Sequence, residues 1–443
     1  MMFPDLTRKE SQFTARISGV RIVTAESDGG EGSASLYIRN GRISEPFAGP
    51  YDIDLTATDF TDGASELLLL PGLVDAHCHL RDPGFTYRED IESGSRAAVR
   101  GGFTAVMCMP NTKPCCDNAT VVSYIVHKAA NVALCRVYPI GAVTKDRAGN
   151  SLAEMGSMKQ AGVVALSDDG APVANADILL RALRYADQFD LPLIDHCEDM
   201  SMPGAMNEGW VSTSLGVIGQ PSIAEDIIVA RDLLVAEYAQ VPIHLAHIST
   251  ARSVELVRQA KARGGAVTCE TCPHYFILTE EICRDFNPQA RVNPPLRSET
   301  DRLAIIEGLK DGTIDIIATD HAPHHADEKN RPFSEANMGI SGLETAFALS
   351  YTYLVGAGHI TLSDLVRLMS TAPADIFKLR GGSLTVGSPA DFTIVDPNRK
   401  DVVRAADFVS KGKNTPFEGY PIFGEILATF VDGKQVYNAR GNR

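Results

Sequence analysis

The sequence contains no apolar run that approaches the roughly 18 residues needed to cross a bilayer as a helix. Its start, MMFPDLTRKESQF, lacks the apolar core of a signal peptide. The nine cysteines are scattered, with Cys115 and Cys116 adjacent, and show no regular disulfide framework. From these absences we expect a cytoplasmic protein with reduced thiols and no membrane partner.

An excess of positive charge is also missing. Asp and Glu outnumber Lys and Arg by 56 to 41, which gives a formal net charge of −15. A surface this negative repels phosphate backbones, so we expect no nucleic-acid partner. Cys269 and Cys272 have the spacing of half a zinc ribbon, but a second such pair is missing. We therefore favour the interpretation that both belong to one buried strand.

Between residues 71 and 323 one pattern recurs eight times: a short apolar run, a polar residue at its end, then a segment of helical periodicity. Strands alternating with helices predict a parallel sheet covered on both faces. Eight units with polar residues at the carboxyl ends predict a closed (β/α)8 TIM barrel rather than a doubly wound open sheet. The runs are LLLLPGLVDAHCH, FTAVMCMPN, CRVYPIGAV, VVALSDDG, LPLIDHCE, PIHLAHIS, AVTCETCPH and DIIATDHAP.

The two ends of the chain have a different pattern. Asn40-Gly41 and Asp432-Gly433 each lie between alternating strands, which is typical of two-residue hairpins. We therefore expect a small β-sandwich domain assembled from the N- and C-terminal segments. The predicted division is a β domain, N-terminal part, at 1–70, the α/β barrel at 71–380 and the C-terminal part of the β domain at 381–443. Within the barrel, Ser222 and Glu225 have the spacing of a helix capping box.

Histidines and aspartates stand at the ends of five of the predicted strands. His77 and His79 are two residues apart on one strand, so both can reach one metal ion, although such a pair also arises by chance. The other strand ends would bring further ligands to the same barrel mouth. Four imidazoles and two carboxylates favour zinc, with manganese or cobalt as alternatives, and leave room for two ions. The further residues are Asp169, His196, His247 and Asp320.

This set of residues suits hydrolysis. Two bridged ions can lower the pKa of a hydroxide that attacks a carbonyl carbon, and a second carboxylate can move the proton. Arg81, Asn111 and Asn293 at strand ends are candidates for binding an anionic, amide-containing substrate. Surface exposure of Arg81 and a turn role for Asn111 are the alternatives.

The motifs DAHCHLRDPG, MPNT, SDDG, HCED, HIST, NPPLR and ATDHAPH occur in this order over residues 71–345, and SKGKNTPF follows at 410–417. With them the chain resembles the metal-dependent amidohydrolase superfamily and, more narrowly, the bacterial type I dihydroorotases. The resemblance implies reversible cyclisation of N-carbamoyl-L-aspartate to L-dihydroorotate plus water by a zinc-bound hydroxide, the third step of pyrimidine biosynthesis.

The resemblance also implies roles for individual residues, with two zinc ions per subunit. His77 and His79 would bind one ion, His196 and His247 the other, and Asp169 would lie between them. Asp320 would be a ligand of the first ion and the catalytic acid and base. The implied substrate-binding residues are Arg81, Asn111, Asn293, His324, Met338 and Gly339, although Met338 stands where the family more often has Phe. Asp168 is the less favoured neighbour of Asp169, and a one-residue shift in register would exchange the two.

Two alternatives to this assignment stay open. Hydantoinase-like and allantoinase-like relatives usually bridge their metals with a carboxylated lysine on strand four, where VVALSDDG has none. Some dihydroorotase-like chains have lost metal ligands and act as scaffold subunits of aspartate transcarbamoylase, whereas all six positions are filled here. As protein partner we expect a second copy of the chain, in a homodimer, or aspartate transcarbamoylase. The polar segment 325–339 is predicted to fold over the substrate.

Overall fold

The computed structural model describes residues 14–29, 33–48, 50–61 and 66–441. The start MMFPDLTRKESQF and residues 30–32, 49, 62–65 and 442–443 lie outside this description. The strands are β1 Thr14–Ile22, β2 Ala34–Arg39, β3 Arg42–Ser44, β4 Ile53–Thr56, β5 Leu67–Pro71, β6 Leu73–Cys78, β7 Phe103–Cys108, β8 Arg136–Gly141, β9 Ala165–Ser167, β10 Leu193–Asp195, β11 Met206–Asn207, β12 Gly219–Gln220, β13 Ile243–Leu245, β14 Val267–Thr271, β15 Ile316–Ile317, β16 Phe392–Val402, β17 Pro421–Val431 and β18 Lys434–Asn438.

The helices alternate with the strands through the middle of the chain. The α-helices are Ala57–Phe60, Ile91–Arg100, Ala119–Val132, Met155–Ala161, Ala176–Asp187, Trp210–Leu215, Ile223–Ala239, Ala251–Ala262, Pro273–Ile277, Glu299–Lys310, Ala326–Lys329, Ala346–Ser350, Leu362–Val366 and Ala372–Ile376. Tyr351–Val355 and Arg367–Thr371 are π-helical, and Lys145–Arg147, Glu280–Cys283, Pro288–Ala290 and Ala405–Asp407 form 3₁₀ turns. Within the described part of the chain, no helix combines the length and apolarity that crossing a membrane requires.

The eight predicted barrel strands form one parallel sheet in the order β15-β14-β13-β10-β9-β8-β7-β6. A parallel bridge between Cys78 and His321 joins its two edges. Buried side chains from these strands, among them Ala76, Met107 and Ile316, fill the interior, as expected for a packed barrel. The prediction of a (β/α)8 barrel is therefore confirmed.

The first apolar run contains two strands rather than one. Leu67–Pro71 pairs antiparallel with β16 outside the barrel, and Leu73–Cys78 is the first barrel strand. Gly72 lies between them, and a Cβ there would come within 2.2 Å of the Thr104 hydroxyl oxygen. The chain passes from one sheet to the other at a point where only glycine fits.

Strands from both chain ends form a second, mixed sheet of order β18-β17-β16-β5-β1-β2-β3, with β4 paired to β1. Both hairpins are present, and Asn40 and Asp432 adopt the left-handed backbone that such turns require, with φ of 54° and 50°. Ile17, Phe392 and Phe430 belong to the hydrophobic cluster of this sheet. The sheet agrees with the predicted β domain, and the boundaries at 70/71 and 380/381 stay a prediction.

The predicted capping box at Ser222 is wrong. The Ser222 side chain caps nothing, and the Glu225 carboxylate instead accepts hydrogen bonds from the backbone N–H groups of Ser249 and Thr250, at 3.0 and 3.1 Å. These two backbone N–H groups follow the sixth barrel strand and are buried. Leaving them without an acceptor would cost more free energy than leaving a solvent-exposed helix end without a side-chain cap.

Candidate metal centre

Four imidazoles surround one buried carboxylate at the carboxyl ends of the barrel strands. Asp169 Oδ1 lies 3.4 Å from His77 Nε2, 3.5 Å from His247 Nε2 and 3.7 Å from His196 Nδ1. The other oxygen, Oδ2, lies 3.5 Å from His79 Nε2. The two carboxylate oxygens thus face different histidines, which is the arrangement that a bridging ligand needs.

Asp320 approaches the same cluster from the eighth strand. Its Oδ1 atom lies 3.1 Å from His79 Nε2 and 3.6 Å from His77 Nε2. Asp320 and His247 have φ of 43° and 32°, in the left-handed region that non-glycine residues avoid at a cost of about 1–3 kcal/mol. The packed strand ends hold both residues in this unfavourable backbone so that their side chains reach the centre.

Hydrogen bonds fix the orientation of three of the four imidazoles from behind. When such an imidazole is neutral and its outer nitrogen donates to the side-chain oxygen, the nitrogen that faces the cluster carries a lone pair. A lone pair in this position is what a metal ligand requires. The bonds are His77 Nδ1 to Glu270 Oε1 at 2.6 Å, His79 Nδ1 to Asn111 Oδ1 at 2.9 Å and His196 Nε2 to Glu198 Oε2 at 2.8 Å.

Some of the inward-facing atoms have no partner within the protein. His77 Nε2 and Asp169 Oδ1 are buried and make no hydrogen bond. Candidate ligand atoms of His77, Asp169 and His247 lie within 4.8 Å of one another, and so do those of His77, His79 and Asp320. Unpaired buried polar atoms cost free energy, and an ion bound between them would remove that cost. The nitrogen-rich set of donors fits zinc.

The two aspartates of SDDG have opposite surroundings. Asp168 Oδ1 accepts hydrogen bonds from the backbone N–H groups of Val143 and Thr144, at 2.9 and 3.0 Å, and Oδ2 accepts from the Thr144 hydroxyl. Asp168 therefore holds the end of the third barrel strand in place, and it is Asp169 that lies among the histidines.

The carboxylates of the cluster are ionised. Burial acts to raise the pKa of Asp320, but the hydrogen bond from His79 and the charge of His77 lower it to about 2. Burial likewise opposes ionisation of Asp169, and the charge of His77 together with the nearby His196 and His247 imidazoles brings its pKa well below the usual value. Both side chains are available as anionic ligands at neutral pH.

The predicted substrate-binding residues at the first two strands lie beside the cluster. Arg81 is buried, with φ of 58°, and its Nε donates to the Pro323 carbonyl at 3.4 Å. Burial lowers the pKa of Arg81 to about 10, so it stays a cation at neutral pH. Asn111 uses its side-chain oxygen for His79, and its amide nitrogen takes no part in that bond.

Asn293, on the loop after the seventh strand, also orients a histidine. Its Nδ2 donates to Glu198 Oε2 at 2.7 Å and lies 3.3 Å from His196 Nε2. Substrate binding by Asn293, Arg81 and Asn111 stays a prediction, and Asn111 and Asn293 have a second function that sequence reasoning missed.

The predicted residues after the eighth strand are packed against each other. His324 Nε2 donates to the Met338 carbonyl at 2.8 Å, and the Met338 side chain is 41% exposed. Gly339 has φ of 145°, and a Cβ there would come within 2.6 Å of the Ala322 carbonyl oxygen, so glycine is required. The Gly339 N–H donates to the Arg291 carbonyl at 3.0 Å. Substrate binding by His324, Met338 and Gly339 stays a prediction.

The C-terminal motif SKGKNTPF reaches this same region. Asn414 Nδ2 donates to the carbonyls of Ala322 and Gly339, at 3.0 and 2.9 Å. Its Oδ1 accepts from the backbone N–H of His324 at 3.0 Å. A residue outside the barrel therefore fixes the loop that carries three of the predicted substrate-binding residues.

The predicted lid, residues 325–339, is attached to the loops on either side of it. Glu328 accepts hydrogen bonds from Arg88 Nη2 at 2.6 Å and from the Tyr87 hydroxyl at 2.9 Å, both on the loop after the first strand. The adjacent Lys329 donates to the carbonyls of Arg291, Asn337 and Gly339 at 3.2, 2.8 and 3.2 Å. Neither of these acidic and basic residues stood out in the sequence.

Glu198 and Glu270 are further residues that sequence reasoning missed. Both follow the pattern of polar residues at strand ends, in HCED and in TCETCPH, so the same rule could have found them. His274, in the same TCETCPH run, is buried with an unpartnered Nε2, and burial lowers its pKa to about 4.

Comparison with known protein families and structures agrees with this geometry. The model of the amidohydrolase family matches residues 68–436. The chain belongs to the amidohydrolase family. Its curated relatives include proteins named dihydroorotase from Acetivibrio thermocellus, 53% identical over 91% of this chain and 95% of that protein, and from Citrifermentans bemidjiense, 50% identical over 96% and 99%. Within the family, the chain groups with these dihydroorotases.

The solved structures show the same fold in more distant proteins. An L-hydantoinase (dihydropyrimidinase) from Arthrobacter aurescens superposes with a TM-score of 0.84, at 24% identity and over 96% of both chains. A D-hydantoinase superposes with a TM-score of 0.81 at 22% identity, over 96% of this chain and 95% of the other. At this identity the likeness shows the fold alone.

Proposed function

We propose that this protein is a dihydroorotase, which interconverts N-carbamoyl-L-aspartate and L-dihydroorotate plus water in the third step of pyrimidine biosynthesis. The observation that carries the proposal is the ring of four inward-facing histidines around Asp169, with Asp320 beside it. This ring occurs in a chain about half of whose residues are identical to those of dihydroorotases over nearly the whole length.

The metal set that we propose is two zinc ions. His77, His79 and Asp320 would hold one ion, His196 and His247 the other, and Asp169 would bridge them. When bound, the ions supply a water of lowered pKa and an electrophile that polarises the reacting carbonyl. The proposal is supported by the unpartnered His77 Nε2 and Asp169 Oδ1 atoms, which face each other across the cluster.

Asp320 is the residue to which we assign proton transfer. Because its pKa is lowered to about 2, the side chain begins the hydrolytic direction as a base that can accept the proton of the attacking water. It then donates this proton to the departing ring nitrogen. In the synthetic direction the same carboxyl group works in reverse, because both directions share one transition state.

The substrate carboxylate needs a local cation in a chain whose formal charge is −15. We assign this role to Arg81, which is buried and charged at the mouth of the barrel. A guanidinium binds a carboxylate through two parallel hydrogen bonds and positions the ring as well as attracting it. Asn111, Asn293 and His324 complete the proposed substrate contacts.

The proposal is tested with purified protein by measuring bound zinc and ring closure of N-carbamoyl-L-aspartate. We expect about two zinc ions per chain and turnover that depends on them. A zinc-free chain that does not cyclise the substrate would instead identify a scaffold subunit. Faster turnover of hydantoin or allantoin than of dihydroorotate would contradict the substrate assignment in favour of the hydantoinase-like alternative.

We also propose a cytoplasmic location and, as partners, a second copy of this chain or aspartate transcarbamoylase. A pull-down with purified transcarbamoylase at micromolar concentration measures the second interaction. We expect ring closure by the isolated chain, and activity that appears only in the mixture would show that the partner is required.

A further inference from the structure

The segment that connects the fifth barrel strand to the long helix after it buries polar side chains and exposes apolar ones. Asn207 and Gln220 lie opposite each other on its two short parallel strands, and their side chains are 5% and 3% exposed. In the same segment Trp210 and Ile218 are 73% and 76% exposed. Burying an amide costs free energy unless its hydrogen bonds are replaced, so the polar atoms of Gln220 need partners inside the protein.

The side chain of Gln220 connects a buried carboxylate to a buried guanidinium. Its Nε2 atom lies 2.6 Å from Glu198 Oε1, and its Oε1 atom lies 3.5 Å from Arg297 Nη2. A guanidinium only donates, so the amide oxygen must face Arg297, which leaves the NH2 group for Glu198. Gln220 is therefore a hydrogen-bond donor to Glu198.

Glu198 connects Gln220 to the candidate metal centre. Its Oε2 atom accepts hydrogen bonds from His196 Nε2 at 2.8 Å and from Asn293 Nδ2 at 2.7 Å, while Gln220 occupies Oε1. Because both oxygens have partners, the carboxylate is held in one orientation behind the imidazole. The other nitrogen of His196, Nδ1, faces the cluster, 3.7 Å from Asp169 Oδ1. In a neutral imidazole whose Nε2 donates, Nδ1 carries the lone pair that a metal ligand needs.

The backbone of Gln220 is fixed as well as its side chain. Its carbonyl oxygen accepts a hydrogen bond from the Glu208 N–H at 2.9 Å and lies 3.4 Å from Arg297 Nη1. A Cβ at Gly204 would come within 2.0 Å of the Gln220 nitrogen, so the neighbouring chain approaches this strand as closely as only glycine allows. A side chain that starts from a fixed backbone can hold its partner in one position.

We propose that Gln220 is a positioning residue, which acts through Glu198 to fix the orientation and the tautomer of His196. This inference rests on the metal set proposed above, in which His196 and His247 hold the second zinc ion. Gln220 itself is not a ligand. Because its hydrogen bonds lead to a ligand of the second ion, loss of Gln220 should weaken the binding of that ion more than the binding of the first.

The first test is zinc binding by Gln220→Met, which removes the donor and nearly keeps the volume. We expect the affinity for the second ion to fall about tenfold, the lower end of the range for groups behind a ligand, and the first to change by less than about twofold. Competition with a chromogenic chelator measures both steps, and metal analysis after dialysis gives the number of ions retained. Gln259→Met is the matched control, because Gln259 Nε2 donates to Glu255 Oε1 at 2.7 Å on an exposed helix. Its zinc binding should equal that of the wild type.

A double-mutant cycle separates positioning from a general loss of stability. Glu198→Gln alone should weaken the second ion by about 10–100-fold. If Gln220 acts through Glu198, adding Gln220→Met to that variant should weaken the ion no further, whereas independent effects would add. Melting temperatures of the metal-free proteins identify a variant that does not fold. Gln220→Glu then replaces Gln220→Met, because it keeps an acceptor for Arg297 and turns a second carboxylate towards Glu198, which should also weaken the second ion.

Three results would overturn the inference. They are folded variants at position 220 that bind both ions as the wild type does, equal losses for both ions, and additive losses in the cycle with Glu198→Gln. Wild-type protein that binds no zinc would overturn the proposed metal set together with this inference. Wild-type protein that binds two ions leaves the metal set in place whatever the variants show, so the two failures are told apart by the first titration.

Discussion

Two groups of buried polar residues lie side by side at the barrel mouth, and they are built in opposite ways. Carboxylates such as Asp168 and Glu225 are saturated with hydrogen bonds from backbone N–H and hydroxyl groups. In the candidate metal cluster, His77 Nε2 and Asp169 Oδ1 have no hydrogen-bond partner. The saturated group stabilises strand ends and loops, whereas the cluster leaves its polar atoms for a ligand. The difference teaches that, of the adjacent acids Asp168 and Asp169, the one with an unsatisfied oxygen is the one that lies among the histidines.

The largest effect is expected for Asp320→Ala, which removes a cluster carboxylate and the proposed proton carrier together. Loss of general acid-base catalysis alone lowers kcat by about 10²–10⁴-fold. Steady-state kinetics in both directions measures the effect, and the melting temperature of the zinc-loaded variant checks the fold. A variant that keeps more than a tenth of wild-type kcat would show that another group moves the proton.

Glu270→Gln tests whether the carboxylate that binds the outer nitrogen of His77 strengthens metal binding. Glu270 accepts from His77 Nδ1, and loss of such a bond typically weakens metal affinity by about 10–100-fold. Competition with a chromogenic chelator measures this affinity. Glu225→Gln is the matched control, because that buried carboxylate binds backbone N–H groups and no imidazole, and its zinc affinity should equal that of the wild type.

Lys329→Met should disturb substrate binding rather than the metal. Three carbonyls lose their shared donor, one of them that of Gly339, so we expect KM to rise about tenfold, with a smaller change in kcat and unchanged zinc content. Lys310→Met, on an exposed helix, is the control and should leave KM unchanged. Equal losses in kcat and in zinc binding would contradict this role.

Lys329 also predicts a pH dependence of stability. Burial and the neighbouring Arg291 lower its pKa from 10.5 to about 7, so between these pH values the unfolded chain binds more protons than the folded one. The free energy of unfolding should therefore rise with pH in this window, by up to about 1.4 kcal/mol per pH unit relative to Lys329→Met. Urea unfolding of both proteins at pH 7.5 and 9.5 gives the difference, and parallel pH profiles would refute the assignment.

The smallest effect on metal binding is expected for Asp168→Asn, which changes the neighbour of Asp169, the proposed bridging residue. The amide cannot accept all three hydrogen bonds as strongly, so stability should fall by about 1–3 kcal/mol. Zinc affinity should stay within about twofold, in contrast to Asp169→Asn. If Asp168→Asn loses zinc as readily as Asp169→Asn, the comparison between saturated and unsatisfied acids fails.

Much of this architecture could be predicted because its signals are local. Strand runs, strand-end polar residues and the Asn-Gly and Asp-Gly turns each depend on a few consecutive residues, and a rule about parallel strands brings the ends together. What escaped prediction depends on partners far apart in the chain. Lys329 donates to the carbonyl of Arg291, and Glu225 accepts from Ser249 instead of forming the predicted capping box with Ser222. These partners are brought together only by the tertiary fold.

Asn414 has a consequence for how the enzyme is made. It lies in the last tenth of the 443-residue sequence, yet it clamps the backbone of Ala322, His324 and Gly339 at the mouth of the barrel. The proposed metal ligands all precede residue 321, so they are synthesised well before the residue that fixes this loop. We therefore expect the proposed metal to be able to bind a chain in which this loop is not yet fixed.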